Sequence, residues 1–139
     1  MTVETRTIII PTKGFSDVVD LTNKVKELLL DQHINDGIVS LFIPGSTAGL
    51  TTLEYEPGCV QDVQTALERI FPQSDDYAHN SRWGDGNGFS HVRAAFLGPS
   101  LQIPFKNRHL MTGTWQQVVL IDFDNKPRNR EVILQVIGE

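Results

Sequence analysis

Helical periodicity is confined to the first half of the chain. Apolar residues recur at helical spacing in two stretches only, residues 21–33 and residues 57–71. The first stretch follows Asp20, a residue type that often caps a helix N-terminus, and the second begins at Pro57, which the first turn of a helix tolerates. We therefore predict two helices and expect the remaining residues to form strands and loops.

Short apolar or β-branched runs bounded by turn residues account for most of the remainder. We predict strands at residues 5–10, 15–19, 38–43, 51–55, 92–97, 101–103, 115–123 and 131–137. Two early helices followed mainly by strands are typical of an α+β fold, here a largely antiparallel β-sandwich with two helices. The chain has 139 residues and shows no repeat or linker, so we predict a single domain over residues 1–139.

The composition excludes several classes of protein. A formal net charge of -5 argues against a general nucleic-acid binder, which needs a basic face. The one cysteine, Cys59, cannot form an internal disulfide and fits a reducing compartment. We see neither a signal peptide nor an apolar run that could span a membrane, so we expect a cytoplasmic protein. The basic residues Lys126, Arg128 and Arg130 are interpreted as part of a solvated hairpin turn.

Histidine is scarce, so its placement is informative. Of the four histidines, His79 and His91 bracket a glycine-rich loop, and neutral imidazole is a common metal ligand. A strand-borne His91, a loop-borne His79 and the carboxylate of Glu54 could provide three ligands. The alternative is that no metal binds, because the spacing of these histidines matches no compact metal motif. His33 is expected at a helix end and His109 in a turn.

Two loops rich in small residues could bind an anion. Residues 73–88 show no periodicity, and loops of such length are commonly functional. The glycines of residues 73–88, including Gly86, would let backbone N–H groups approach an anion, and Arg82 could add a phosphate contact. The earlier loop, residues 45–49, offers the hydroxyls of Ser46 and Thr47. Both loops could instead be simple turns.

Several motifs occur together in one order along the chain. They are Gly45-Ser46-Thr47-Ala48-Gly49-Leu50, Glu54, the stretch from His79 to His91, Leu97-Gly98-Pro99-Ser100 with Pro104, and Gly113-Thr114-Trp115-Gln116-Gln117. In these motifs, over nearly its whole length, the chain resembles the YjbQ-like family, whose members are often called secondary thiamine-phosphate synthase enzymes. The resemblance implies an α+β sandwich and a homotrimer. It also implies a polar pocket that holds a metal such as zinc, or an anion, in several members.

The resemblance extends to individual residues. His79 and His91 match the family's histidines, Glu54 matches its acidic position, and four residues match its polar positions: Asn87, Ser100, Thr114 and Gln116. We therefore expect a metal at His79, His91 and Glu54. The expected catalytic residues are Glu54, Asn87, Ser100 and Gln116, and the expected substrate-binding residues are Ser46, Thr47, Arg82, Gly86 and Thr114.

Two positions depart from the family's pattern. Many members have a histidine where this chain has Gly45, which removes one possible ligand. Phe89 stands where a polar residue is expected, and Trp115 of the last motif is expected in the core or in a pocket wall.

Three functions follow from the resemblance and the residues. The family's named activity joins a pyrimidine diphosphate to a thiazole phosphate and releases diphosphate, which implies a transferase that acts on small phosphorylated molecules with zinc or magnesium. The first alternative is a metal-dependent hydrolase with Glu54 as general base. The second is a non-catalytic trimer that binds an anion. The sequence names no physiological substrate.

Overall fold

Two antiparallel sheets and four helices make up the fold. A computed structural model describes residues 1–139. The elements are β1 Thr2–Thr12, β2 Asp17–Asp20, α1 Thr22–Leu30, β3 Gly37–Phe42, β4 Ala48–Leu53, α2 Pro57–Ile70, α3 Ala78–Trp83, α4 Gly88–Leu97, β5 Ser100–Lys106, β6 His109–Leu110, β7 Gln117–Asp122 and β8 Arg128–Gly138. The large sheet has the order β1-β8-β3-β5-β6 and the small sheet the order β2-β7-β4. The predicted antiparallel α+β fold class is confirmed.

The small sheet is the middle layer of three. Alternate residues of the large sheet, such as Val39, Leu134 and Ile103, face α1 and one side of the small sheet to form the main core. The other side of the small sheet packs against α2 and α4 in a second cluster that includes Val119 and Ile121. Consequently β7 is buried on both faces, which explains why it reads as a continuous apolar run.

The prediction of two helices was wrong, because α3 and α4 lie where a loop and a strand were expected. Residues 73–88 contain α3, and the predicted strand at residues 92–97 belongs to α4. The buried face of α4 carries Ser90 and Arg93 beside Phe89 and Ala94. Polar side chains on a buried face conceal the helical spacing of apolar residues, and α4 was therefore missed.

Several predicted boundaries also shift. Leu21 rather than Asp20 occupies the N-cap position of α1, although Asp20 Oδ1 still accepts hydrogen bonds from Thr22 N at 2.9 Å and Thr22 Oγ1 at 2.6 Å. Helix α1 ends at Leu30, so His33 lies beyond it. His109 begins β6 rather than lying in the preceding turn.

Strand β4 begins and ends earlier than predicted. It spans Ala48–Leu53, so half of the small-residue loop is strand. Gly49 lets the end of α4 pack closely against β4. A Cβ at this position would lie only 2.8 Å from the carbonyl oxygen of Gly98, which follows α4.

None of the four helices combines the length and the apolar character that a membrane crossing requires.

Candidate functional site

Helices α3 and α4 bring two histidine rings together. His79 lies in the first turn of α3 and His91 in the first turn of α4, and their ring centroids are 4.4 Å apart. The helices meet closely because Gly88 has no side chain, since a Cβ there would lie 2.4 Å from the Cβ of Tyr77. His91 was expected on a strand, and a helix carries it instead. The pairing with His79 could not be read from sequence spacing.

Asp85 and Asn87 surround the ring of His79. Nε2 of His79 lies 3.1 Å from Oδ1 of Asp85, and both side chains are partly exposed. With its amide nitrogen turned toward them, Asn87 donates to His79 Nε2 at 3.0 Å and to Asp85 Oδ1 at 3.1 Å. A protonated Nε2 donates to Asp85, whereas a bare Nε2 accepts from Asn87. The cluster can therefore hold His79 in either protonation state.

His91 faces a small cleft through its other nitrogen. Its Nδ1 lies 3.1 Å from the carbonyl oxygen of Ser46, and because a carbonyl only accepts, Nδ1 carries the hydrogen. Nε2 of His91 has no protein partner. The adjoining cavity has a volume of about 220 Å³. This histidine cleft is lined by Gly45, Ser46, Ala48, His91, Ala94, Ala95 and Pro99.

A group of charged residues lies directly beneath the loop that forms this cleft. Asp122 and Asp124 are fully buried at the end of β7, and Arg130 donates to both oxygens of Asp122 at 2.7 and 2.9 Å. Arg128 donates to Asp124 at 2.8 Å. Thr47 accepts from Arg130 at 2.7 Å and donates to Asp124 at 3.3 Å, so its hydroxyl, expected to bind substrate, has partners within the protein. We call these five residues the ion network.

The ion network corrects the interpretation of the basic residues near the hairpin. Lys126 and Arg128 are exposed, but Arg130 is only 8% exposed and does not lie on a solvated turn. Its location could have been suggested by the alternation of β8, because Arg130 shares a face with the buried Val132 and Leu134.

The remaining predicted residues lie in other places. Glu54 follows the far end of β4, roughly 23 Å from Thr47 at the usual rise along a strand. Gln116 donates to Thr52 at 3.1 Å near that same end. Thr114 lines a second cleft, of about 530 Å³, together with Lys26, Arg108 and His109. Glu54, Gln116 and Thr114 therefore do not reach the histidine cleft of their own chain.

Ser100, Arg82 and Gly86 lie around the histidine cleft rather than inside it. Ser100 begins β5 immediately after Pro99, which lines the cleft. Arg82 is exposed at the end of α3, and its guanidinium carbon lies 5.9 Å from the centre of the Trp83 ring. Gly86 has a φ of 69° and lies between Asp85 and Asn87 in the turn that joins the two helices.

The structure also shows the surroundings of two aromatic residues, Trp115 and Phe89, and of the single thiol, Cys59. Trp115 is 71% exposed and therefore does not lie in the core, the first of the two places expected for it. Phe89 is buried beneath the guanidinium of Arg93, 5.0 Å from its ring centre, and does not face the cleft. Desolvation, followed by the charges of Glu56, Glu54 and Asp62, raises the pKa of the Cys59 thiol, so Cys59 is not an activated nucleophile.

The side chains at the histidine cleft provide too few ligands for a metal ion within one chain. No group of three or more His, Cys, Asp or Glu side chains in this chain is arranged to hold one. His79 Nε2 is occupied by Asp85 or Asn87, and His91 Nδ1 by Ser46. The residues of one chain thus offer two free imidazole nitrogens and no third ligand, which does not fit a closed metal site.

The three-layer arrangement and the paired histidines define a small α+β protein with a polar histidine site at the edge of its middle sheet. The family model described as UPF0047 protein YjbQ-like matches residues 6–139, and the chain belongs to this family.

Relatives resemble this chain in sequence, and solved structures resemble it in fold. A UPF0047 protein of Methanothermobacter thermautotrophicus is 32% identical over 139 residues, covering 100% of this chain and 95% of that protein. One from Archaeoglobus fulgidus is 31% identical over 121 residues, covering 87% and 91%. The crystal structure of a YbjQ-like protein of unknown function from Sulfolobus solfataricus P2 superposes with a TM-score of 0.94 at 29% identity, covering 99% of both chains.

Proposed function

We propose that this protein is an enzyme that acts on a phosphorylated small molecule in the histidine cleft. One observation carries the proposal. The hydrogen bond from His91 Nδ1 to Ser46 fixes the ring, so that Nε2 is left without a protein partner beside a cavity of about 220 Å³. An imidazole held in one tautomer beside an open cavity can act as a general acid or base near neutral pH.

The neighbouring groups suit negative charge on the ligand. His79 lies against His91 and can hold a proton opposite Asp85. When a phosphate or diphosphate leaves with the electron pair of the broken bond, a protonated imidazole donates a hydrogen bond to the oxygen on which charge develops. His91 is the proton donor in this proposal, and the proton on His79 adds charge stabilisation beside it.

The transferase form of the proposal is thiamine-phosphate synthesis, which the sequence resemblance alone supports. The pyrimidine group would form a bond to the nitrogen of a thiazole phosphate as its bond to diphosphate breaks, and His91 would protonate the diphosphate that is released. The form in which water replaces the thiazole is a phosphohydrolase, and His91 then serves as the base toward that water.

The test uses His91→Asn, with His109→Asn as its matched control because His109 is an exposed histidine outside the cleft. Wild type and both variants are assayed with the pyrimidine and thiazole pair and with a panel of phosphate esters. We expect His91→Asn to lose about 100-fold or more in kcat, as loss of a general acid or base does, whereas His109→Asn stays near wild type. No turnover of any substrate by wild type, with saturable binding of inorganic phosphate, favours the non-catalytic anion-binding alternative.

A divalent metal, zinc or magnesium, belongs to the alternative of a metal-dependent hydrolase. The imidazoles of His79 and His91 could hold the metal, but Glu54 lies too far away to be a third ligand within one chain. Elemental analysis of protein purified without chelator distinguishes the alternatives. One zinc per chain that is lost in His91→Asn favours the metallohydrolase, and full activity of metal-free protein favours acid–base catalysis.

We also propose that the protein forms a homotrimer through the outer face of the large sheet. Ile38 and Phe42 on β3 are 49% and 44% exposed, and their cross-strand neighbours include Pro104, Ile133 and Ile137. An apolar sheet face of this kind is unfavourable in water unless it is covered. We expect sedimentation to give a trimer for wild type and a smaller species for Phe42→Glu, and a monomeric wild type would contradict the proposal.

A further inference from the structure

Arg130 is a buried arginine whose hydrogen bonds are incomplete. Its Nε and Nη2 atoms donate to Asp122 and Thr47, but Nη1 donates to no protein acceptor. The side chain is only 10% exposed. The guanidinium is held firmly by the protein, yet this one nitrogen stays available to a partner from outside. Nη1 is not sealed from solvent, since the one buried side-chain atom without a partner is Gln32 Nε2.

The free nitrogen lies beneath the loop that forms the histidine cleft. A Cβ added to Gly45 would lie 3.4 Å from Arg130 Nη1, and this is the nearest contact at that position. Gly45 has a φ of 128°, which favours glycine, so no side chain covers the guanidinium. Gly45 and Ser46 both line the cleft, and the Ser46 carbonyl holds His91. Nη1 and the imidazole of His91 therefore flank the same two-residue segment.

We propose that Arg130 Nη1 binds a phosphate oxygen of the ligand at the Gly45 edge of the cleft. This inference rests on the proposed function, because it names the residue that holds the phosphate group on which the histidines act. A phosphate has oxygens in several directions, so one can accept from Nη1 while another accepts from His91 Nε2. A carboxylate presents its two oxygens in one plane and fits this divided set of donors less well.

The fixed geometry of the ion network explains why Arg130 suits this role. The carboxylates of Asp122 and Asp124 balance the guanidinium groups of Arg128 and Arg130, so the network itself is electrically neutral. The two bonds to Asp122 fix the plane of the Arg130 guanidinium before any ligand arrives. Binding to Nη1 then costs little side-chain entropy, unlike binding to a mobile surface lysine.

A purely structural Arg130 is the competing explanation, and matched arginine variants separate the two. Calorimetry measures the binding of inorganic phosphate and of diphosphate to wild type, Arg130→Lys and Arg128→Lys. Both substitutions keep a positive charge in the ion network, but only the first removes the donor beneath Gly45. We expect Arg130→Lys to weaken binding by about 10-fold to 100-fold, the range for one charge-assisted hydrogen bond. Arg128→Lys should stay within about twofold of wild type.

A second measurement uses the wild-type protein, so it does not require any variant to fold. Nitrogen-detected NMR of the arginine side chains follows the guanidinium of Arg130 during titration with inorganic phosphate. We expect its Nη signals to shift with the same dissociation constant that calorimetry gives, and the Arg93 signals to stay in place. Arg93 is the matched reference because its guanidinium is buried with partners on all three nitrogens.

The outcomes separate this inference from the function on which it rests. If phosphate binding depends on His91 but leaves the Arg130 signals and the affinity of Arg130→Lys unchanged, the role of Arg130 is refuted and the proposed function stands. If wild type neither binds phosphate nor turns over a phosphorylated substrate, both are refuted. Coincident shifts at Arg130 and loss of affinity in Arg130→Lys support the inference.

Discussion

The ion network lies beside a second polar group, the histidine cluster of His79, Asp85, Asn87 and His91. The carboxylates of the two groups differ in how completely they are bonded. The carboxylates of Asp122 and Asp124 are fully buried, and each accepts from an arginine. Asp85 is about half exposed, and it shares His79 with Asn87 in two alternative hydrogen-bond patterns. The first arrangement is closed within the protein, whereas the second remains partly open to solvent. We therefore expect a change in the carboxylates of the ion network to cost more stability than a change in the histidine cluster.

The largest expected loss of stability follows the removal of a buried carboxylate, and it tests this comparison directly. We expect Asp122→Ala to lower the free energy of unfolding by about 3–5 kcal/mol, because Arg130 would be left as an unpaired buried charge. Urea unfolding measures the loss, with Asp62→Ala on the exposed face of α2 as control, expected within about 0.5 kcal/mol of wild type. A loss below 1 kcal/mol in Asp122→Ala would mean that the ion network does not hold the fold.

A smaller effect is expected for Asp124, and it depends on pH. Burial raises the pKa of Asp124, but the hydrogen bonds from Arg128 and the Asn125 N–H outweigh it, so that the pKa lies below the ordinary value of 3.8. A carboxyl with a lowered pKa stabilises the fold fully above its unfolded pKa and loses that contribution as pH falls through its folded pKa. We expect Asp124→Asn to cost about 1–3 kcal/mol at neutral pH.

The pH dependence provides the sharper measurement for Asp124. Unfolding free energies of wild type should fall as pH drops below 3.8, and Asp124→Asn should show a shallower fall over the same window. Asp75→Asn, an exposed aspartate, is the control and should follow the wild-type curve. Parallel acid limbs for wild type and Asp124→Asn would show that this carboxyl does not contribute as described.

The smallest change in stability is expected in the histidine cluster. Asp85→Asn should alter the free energy of unfolding by less than about 1 kcal/mol, because the pair with His79 is exposed. A loss of stability as large as that of Asp122→Ala would erase the distinction between the two clusters.

Features that depend on neighbouring residues could be predicted from the sequence, whereas features that depend on contacts between distant segments could not. The strands with regular alternation, such as those at residues 38–43 and 131–137, follow from local pattern. Helix α4 does not, because its buried face holds Arg93, whose partners Glu68 and Ser16 come from distant segments. Likewise His79 and His91 were recognised as important, but their contact with each other and with Ser46 depends on how α3, α4 and the β4 loop pack.

The candidate site shows the same limit. Glu54 was assigned to the histidines because its residue type suits a metal, and only the length and direction of β4 place it at the other end. Arg130 was overlooked for the opposite reason, since neighbouring basic residues suggested a solvated turn. In both cases the residue type was informative, and the position depended on strand direction and register, which sequence spacing alone does not determine.

The position of β8 within the large sheet has a consequence for synthesis. β8 follows every other element in the chain, yet it pairs with both β1 and β3, so that Thr2 lies opposite Gly138. A nascent chain that has emerged only as far as residue 127 leaves β1 without a partner and one edge of β3 open to other molecules. On the ribosome, folding therefore has to wait for the segment that also delivers Arg130, and the unfinished chain is the form most exposed to aggregation.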